Sequence, residues 1–254
     1  MFSNAGNSMD NSKRLNTYGE KLTMPETFQK IGYAHQETSQ SISIDKEKVQ
    51  ENFMHYHKKC IQFQERFDQY IEEFEQKRYM SPVELMVCTH YRDINYLFNE
   101  LFNRIERFNS ELLQISEWKY CRCFGDKNIK HLLVKRHLYK NSHEHYFNGS
   151  AVLDVVAMIR CHVTYFEWQD TDLTENFGVY LESNQLEQVE LELLGIYLLD
   201  PTEYFQAVED YATRATSKSM MEHTIILNRL HRFATGMLGW TINNLAAKPG
   251  DSDD

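Results

Sequence analysis

The sequence contains little glycine and proline, with 10 Gly and 4 Pro among 254 residues. Sheet proteins need both residues in their many turns, whereas the abundant Leu, Glu, Gln and Lys of this chain favour helices. The length is sufficient for one domain with its own core, or for one domain and a tail. We therefore predict an all-α protein, a single bundle of about seven helices without strands.

Further absences exclude other classes of protein. No apolar run approaches the ~18–20 residues that cross a bilayer, and the N-terminal residues lack the apolar core of a secretory signal. The five cysteines show no regular disulfide framework. These features predict a protein with reduced thiols in the cytoplasm, the nucleus or both, and no membrane partner.

Motifs for catalysis are missing as well. The chain has no Gly-rich phosphate loop, no nucleophile elbow and no His-Glu-x-x-His sequence. A magnesium-dependent nuclease needs converging carboxylates, and the candidates here are Asp154, Glu167 and Asp210. Asp154 and Glu167 stand at the two ends of one predicted helix, about 20 Å apart at the helical rise per residue. We expect no catalytic residue and no cofactor, with magnesium only if the three carboxylates converge.

A zinc site is not expected from the spacing of cysteine and histidine. Paired zinc ligands are usually separated by about two to four residues, and the Cys-x-Cys and His-x-His pairs of this chain do not match that pattern. The residues concerned are Cys121, Cys123, His131, His137, His143 and His145. We interpret these histidines as part of an exposed basic surface.

The ends of the chain differ in composition from its middle. Residues 1–45 are rich in Ser, Asn, Gln and Thr and show no helical period, which predicts a disordered or loosely docked N-terminal tail. Residues 244–254 are predicted to form a flexible acidic C-terminus. An all-helical domain is therefore expected over residues 46–243.

Two long apolar seams predict an antiparallel helical hairpin at the start of this domain. Between them, Ser81 and Pro82 provide the cap and first residue of a new helix, with Glu84 three residues after the cap. The first seam is Val49, Phe53, Tyr56, Cys60, Phe63, Phe67, Tyr70 and Phe74, and the second is Val87, Tyr91, Ile94, Phe98, Leu101, Ile105, Phe108, Leu112 and Ile115.

The most apolar segment of the chain is Ala151–Trp168, which has no broad polar face and is predicted to be a buried central helix. Residues 117–126 are interpreted as a connection. Other helices are predicted over residues 128–140, 174–181 and 186–199, then after the Asp200–Pro201 cap. A last helix is expected to bury Ile225, Leu227, Leu230, Phe233, Ala234, Met237 and Leu238.

A basic, His-rich segment leads directly into the central helix. With a net charge of −10 the whole chain repels phosphate, so nucleic acid binding requires a local patch of this kind. Lysine and arginine can neutralise phosphates there, and tyrosine and histidine rings can stack on unpaired bases. A solvated helical face with ordinary aromatic packing accounts for the composition equally well. The candidate nucleic-acid-binding residues are Lys135, Arg136, Tyr139, Lys140, His143, His145 and Tyr146.

These residues resemble the translin and Trax family. One similarity is to translin, in which Tyr-Arg and His-Glu-His-Trp precede an apolar helix that ends in Tyr-Leu-Glu. This chain has Tyr139–Lys140 and His143–Tyr146, followed by an apolar helix that ends in Val163–Glu167. The segment Asp200–Tyr204, with Asp210 after it, is similar to the Asp-Pro-Thr-Glu-Tyr helix start of Trax. The next helix, Ile225–Leu238, and the hairpin containing Arg92, Asp93 and Ile94 are compatible with the family, so the resemblance extends over about residues 46–243.

The resemblance implies an all-α subunit of a hollow oligomer that binds single-stranded RNA or DNA, in which translin binds RNA and Trax supplies the acids for magnesium-dependent cleavage. Its translin-like or Trax-like partners, and a role in RNA processing, follow from the same resemblance. Met158 and Cys161 stand where Trax has its paired catalytic Glu, while Asp210 matches the remaining acid. The segment before Tyr165 is about three residues longer than in translin, and the long last helix of the family has no counterpart after Leu245. These departures favour a translin-like, non-catalytic member.

A second function class fits the same sequence. The negative charge and the long aromatic seams are also typical of a helical adaptor or scaffold that binds protein partners and no nucleic acid. Binding of single-stranded RNA would distinguish the two.

Overall fold

The computed structural model describes residues 22–135, 146–165 and 170–245, and over these residues it contains nine helices and three short strands. The predicted all-α class is confirmed, because helices account for most of the described chain. No helix in these ranges is long and apolar enough to cross a membrane. In chain order the elements are α1 Met24–Thr38, β1 Gln40–Ser43, α2 Lys46–Glu75, α3 Pro82–Gln114, β2 Glu117–Cys123, α4 Asp126–Lys135, β3 Phe147–Gly149, α5 Ala151–Tyr165, α6 Asp170–Ser183, α7 Gln188–Leu198, α8 Thr202–Ala212 and α9 Met220–Asn244.

The predicted hairpin is confirmed in α2 and α3. The ring centroids of Phe53 and Phe108 are 4.4 Å apart, and those of Phe67 and Tyr91 are 5.9 Å apart, so the two helices run antiparallel. The start of α3 has the expected capping box, since the Ser81 hydroxyl accepts from the Glu84 N–H and the Glu84 carboxylate accepts from the Ser81 N–H. The aromatic seams of α2 and α3 therefore pack against each other and contribute to the core.

The central position of α5 is also confirmed. Val152, Val155, Met158 and Ile159 are fully buried, and the helix packs against α4, α7 and β2. Leu153, on the opposite side near the start of the helix, is half-exposed. The helix thus supports the strand and turn that precede it.

The prediction of an N-terminal tail over residues 1–45 was wrong for the described part. Helix α1 begins with a capping box between Thr23 and Glu26 and buries Phe28 and Ile31, and it packs mainly against α6. Polar residues separate these few apolar side chains, so the local pattern is weak and the helix is stabilised by its tertiary contacts. Residues 1–21 lie outside the described residues.

The prediction of no strands was also wrong. Strands β1, β2 and β3 form an antiparallel sheet in that order, with Gln40 opposite Tyr120 in the first pair and Cys123 opposite Phe147 in the second. Strand β2 occupies most of the segment that we interpreted as a connection. The three strands are short, β1 is entirely exposed, and their pairing joins distant parts of the chain, so no local apolar alternation signals them.

The C-terminal helices occur where they were predicted, with three differences in detail. Helix α6 begins earlier than expected. Pro201 rather than Asp200 holds the N-cap position of α8, and the Asp200 carboxylate accepts from the Thr202 N–H at 3.1 Å. Ile225 of α9 is exposed, not buried, because it lies opposite the face on which Leu227 packs. Residues 246–254, most of the predicted acidic C-terminus, lie outside the described residues.

Candidate functional site

The predicted nucleic-acid-binding segment falls largely outside the described residues. Lys135 is the last residue of α4, and Tyr146 immediately precedes β3, so the two described ends of the segment are both fixed to the fold. The predicted contact residues between them are Arg136, Tyr139, Lys140, His143 and His145, and the structure describes none of these five. The site can therefore be built from Tyr146 and its neighbours.

Tyr146 lies against a cation and a second ring. The Arg122 guanidinium is 3.9 Å from the centroid of the Tyr146 ring, and the Phe124 ring meets it edge-on with centroids 5.4 Å apart. Arg122 points outward because side chains alternate along β2 and its neighbours Cys121 and Cys123 are buried. Strand pairing thus produces a cation–π pair at the point where the basic segment rejoins the fold.

Phe147 presents a second ring next to Tyr146 and is 42% exposed. A Cβ on Gly149 would lie 2.8 Å from Phe147 Cε2, and a Cβ on Gly125 would lie 3.3 Å from Phe147 Cε1. Gly125 also has a φ of +79°, a conformation that suits glycine. The absence of side chains at Gly125 and Gly149 thus leaves room for the Phe147 ring.

The Phe147 ring borders a cavity of about 420 Å³. Its walls combine apolar side chains with one cation and several carboxylates, and the lining residues are Gly125, Asp126, Phe147, Leu153, Asp154, Val156, Arg160, Tyr197 and Asp200. Arg160 is held in place by the Tyr197 carbonyl oxygen, which accepts from its Nη2 at 3.0 Å. Burial, with a smaller effect of the Asp200 charge, raises the pKa of Tyr197.

This arrangement can accommodate a planar, partly polar group. Phe147 and Leu153 provide apolar surface for a ring, Asp126 and Asp200 can accept hydrogen bonds from amino groups, and Arg160 can donate to a phosphate or carbonyl oxygen. Lys127, Lys130 and His131 are exposed on α4, the helix that begins at the same turn. The sequence pattern gave no signal for Arg122 or Arg160, because only the fold brings Arg122 to Tyr146 and Arg160 to the cavity beside Phe147.

The predicted acidic residues are placed in separate networks where the structure describes them. The Asp154 carboxylate is fully buried and accepts from the Phe124 N–H at 2.6 Å and the Gly125 N–H at 2.8 Å. Asp210 accepts from Gln206 Nε2 at 3.0 Å, and Lys218 Nζ lies 3.5 Å from its other oxygen. Glu167 lies outside the described residues. Asp154 thus fixes the β2–α4 turn beneath the cavity, and Asp210 makes only local contacts.

A second cluster beneath the same turn brings together Cys121, Cys123 and Asp154, which the sequence analysis considered only separately, and adds His35, which it did not consider. His35 Nε2 is 3.0 Å from Asp154 Oδ2, and His35 Nδ1 is 2.9 Å from the Tyr180 hydroxyl. A ring nitrogen of His35 and the Sγ atoms of Cys121 and Cys123 all lie within 4.8 Å of one another. His35 was assigned to the N-terminal tail, although its spacing of four and seven from Ile31 and Phe28 places it on the buried face of α1.

Comparison of the chain with protein-family models, curated proteins and solved structures gives no match.

Proposed function

We propose that this protein is a translin-like subunit that binds single-stranded RNA or DNA without cleaving it, within a homo- or hetero-oligomer that acts in RNA processing. The observation that carries the proposal is the Arg122–Tyr146 pair with the exposed Phe147 ring beside it, at the place where the basic segment returns to the fold. Single-stranded nucleic acid is held by stacking of bases on such rings together with cations along the backbone.

Bases are proposed to bind at the two rings and in the cavity. Tyr146 offers a ring already polarised by a guanidinium on one face, and Phe147 forms one wall of a space of about 420 Å³. A base that stacks on Phe147 brings its amino and carbonyl groups within reach of the carboxylates and the guanidinium of the cavity. RNA is commonly recognised in this way, through unstacked bases whose edges remain free for hydrogen bonds.

Phosphates are proposed to bind at the basic segment. Lys135, Arg136 and Lys140 lie in it, and Lys127 and Lys130 on α4 precede it. Since the net charge of the chain is −10, attraction of a polyanion depends on this local concentration of cations. Non-cleavage is supported by Met158 and Cys161, both buried apolar residues at the positions where the resemblance places the paired Glu of Trax.

A titration of labelled single-stranded RNA at several salt concentrations tests the phosphate part. Binding is expected to weaken steeply with salt, with a log–log slope of about −0.7 for each phosphate neutralised. The double variant Lys135→Glu, Lys140→Glu is expected to lose binding and to keep the circular dichroism spectrum of the wild type. Unchanged affinity of this folded variant would refute the proposal.

Tyr146→Ala tests the stacking part, because one base–aromatic stack is worth about 1–3 kcal/mol, or about 5- to 150-fold in affinity. Tyr79→Ala is a matched control. Tyr79 also has an arginine over its ring, with the Arg78 guanidinium 5.3 Å from the centroid, and it is 80% exposed at the turn of the helical hairpin. We expect only Tyr146→Ala to weaken RNA binding, and equal losses in both variants would contradict the assignment of the site.

A helical adaptor that binds only proteins is the second candidate function. The observation that favours it is an apolar patch at the start of α9, where Met220, Met221 and Ile225 are exposed. This function predicts a protein that co-purifies with a partner polypeptide and carries no nucleic acid absorbance. Absence of RNA binding by the wild type at low salt would favour it over the first proposal.

A further inference from the structure

The cysteines of β2 face the interior side by side. Strand alternation directs Cys121 and Cys123 to the same buried face, and their Sγ atoms are 3.9 Å apart. His35 of α1 reaches the same place, with one ring nitrogen within 4.8 Å of both sulfur atoms. Three side chains that bind soft metal ions are thus brought together from two elements far apart in sequence.

We propose that His35, Cys121 and Cys123 form a binding site for a zinc ion. Zinc–thiolate bonds of about 2.3 Å at a tetrahedral angle hold two sulfur atoms about 3.8 Å apart, which agrees with the separation in the structure. One His and two Cys are also a set found in zinc sites with three protein ligands. The i, i+2 spacing of the two cysteines differs from the usual spacing of paired zinc ligands, but in an extended strand it directs both side chains to one face.

The surroundings of His35 provide the second observation. A histidine that binds zinc usually donates its other N–H to a carboxylate, which fixes the ring and increases the basicity of the liganding nitrogen. The Asp154 carboxylate accepts from His35 Nε2 at 3.0 Å, and it is itself held by the Phe124 and Gly125 N–H groups. Nδ1 is therefore the nitrogen that binds the ion, in place of the hydrogen bond it makes with the Tyr180 hydroxyl.

Three protein ligands leave a fourth position of a tetrahedral zinc ion for water. A small cavity of about 10 Å³ borders His35 and Cys121, and most of its other lining residues are polar, including Asn184 and Glu190. A space of this size is close to the minimum that one water molecule needs.

Charge and protons balance in this site. Cys121 and Cys123 are free cysteines that the fold buries next to each other. Binding of Zn²⁺ releases one proton from each thiol, and the two thiolates neutralise the charge of the ion. The buried site consequently gains no net charge when it is filled.

Cobalt(II), which replaces zinc, is the probe for the experiment. The full-length reduced protein is treated with a chelator and titrated with cobalt(II), and thiolate-to-cobalt charge-transfer absorption is measured. We expect saturation at one cobalt per chain, loss of the band on adding zinc, and no band in Cys121→Ser, Cys123→Ser or His35→Ala. Cys88→Ser, which alters a half-buried cysteine of α3, is expected to keep the band.

A measurement on the wild type avoids variants that fail to fold. Because Cys121 and Cys123 are buried, iodoacetamide reaches them only when the fold opens locally, so labelling is followed over hours by mass spectrometry. Zinc is expected to slow the labelling of both cysteines and to leave the labelling of the half-buried Cys88 unchanged. Absence of a charge-transfer band together with equal alkylation in the presence and absence of zinc would overturn the proposal. A band that persists in Cys121→Ser and disappears in Cys88→Ser would place the metal elsewhere and overturn it as well.

Discussion

His90 shows how a single buried ring couples stability to pH. It belongs to α3 and faces α9, where it stacks on His231 with centroids 3.6 Å apart, and its Nδ1 is 3.0 Å from the Tyr204 hydroxyl of α8. Burial, with a further contribution from His231, lowers the pKa of His90 from 6.5 to about 4. The unfolded chain therefore binds more protons than the folded protein between these two pH values.

Stability should consequently rise with pH across this window. The contribution of His90 is fully present above about pH 6.5 and is lost as the pH falls toward 4, and it amounts to about 1–3 kcal/mol. Urea denaturation of the wild type and His90→Gln between pH 4 and 7 measures it, because the variant lacks this increment. His55→Gln, on the exposed side of α2, is expected to keep the wild-type pH dependence. A constant difference between the wild type and His90→Gln across the pH range would contradict the prediction.

The residues of the candidate site differ in how far the sequence could predict them. Tyr146 belongs to a motif that is continuous in the chain, so its composition identified it. Arg122 meets Tyr146 only because β2 pairs with β3, and His35 meets Cys121 only because α1 packs against the sheet and α6. Contacts of this kind depend on tertiary packing, which a local pattern does not encode.

Helices α1 and α6 approach each other closely at one glycine. A Cβ on Gly32 would lie 2.7 Å from Ser183 Cβ and 3.1 Å from the Tyr180 carbonyl oxygen. At Gly178 of α6, no atom of the described residues outside the adjoining helix backbone lies within 4 Å of the corresponding position. The two helical glycines therefore predict opposite effects for the same substitution.

Gly178→Ala should stabilise the protein by up to about 1 kcal/mol, because alanine is the better helix former and meets no neighbour. Gly32→Ala should destabilise it by about 1–3 kcal/mol, because α1 must move away from α6 to accommodate the methyl group. The midpoint of urea denaturation measures both changes. A shift in the same direction for both variants would show that the close contact at Gly32 does not limit packing.

The strength of the sequence pattern within each element explains why α2 and α3 were predicted accurately and α1 and the strands were not. The hairpin helices contain 30 and 33 residues with aromatic side chains at regular helical spacing, so their pattern repeats many times. Helix α1 has 15 residues and the strands have 3 to 7. The strands provide too few repeats of a period to be distinguished from a connection, and the few apolar side chains of α1 are separated by polar residues, unlike those of the equally short α5.

Basic residues and exposed apolar side chains are distributed unevenly over the whole molecule. The chain has 37 acidic and 27 basic Lys and Arg residues, yet basic residues are concentrated around α4 and the segment after it. The exposed apolar side chains at the start of α9 lie on a different element, where Met221 is 74% and Ile225 is 62% exposed. These two residues are four apart and share one face of the helix, which suits contact with a second subunit.

If the protein assembles as a translin-like subunit, this face of α9 is the surface to alter. In light scattering, the wild type is expected to have a mass above the 30.2 kDa of one chain. The double variant Met221→Glu, Ile225→Glu is expected to have the mass of a monomer, because the introduced charges would be buried without partners at the interface. Met54→Glu, which alters an exposed residue of α2, is the control and should leave the mass unchanged. A monomeric wild type at all concentrations would exclude self-assembly through α9. Since Tyr146 and the cavity belong to one chain, the monomeric variant should still bind RNA through stacking, although without the gain in avidity that linked sites provide.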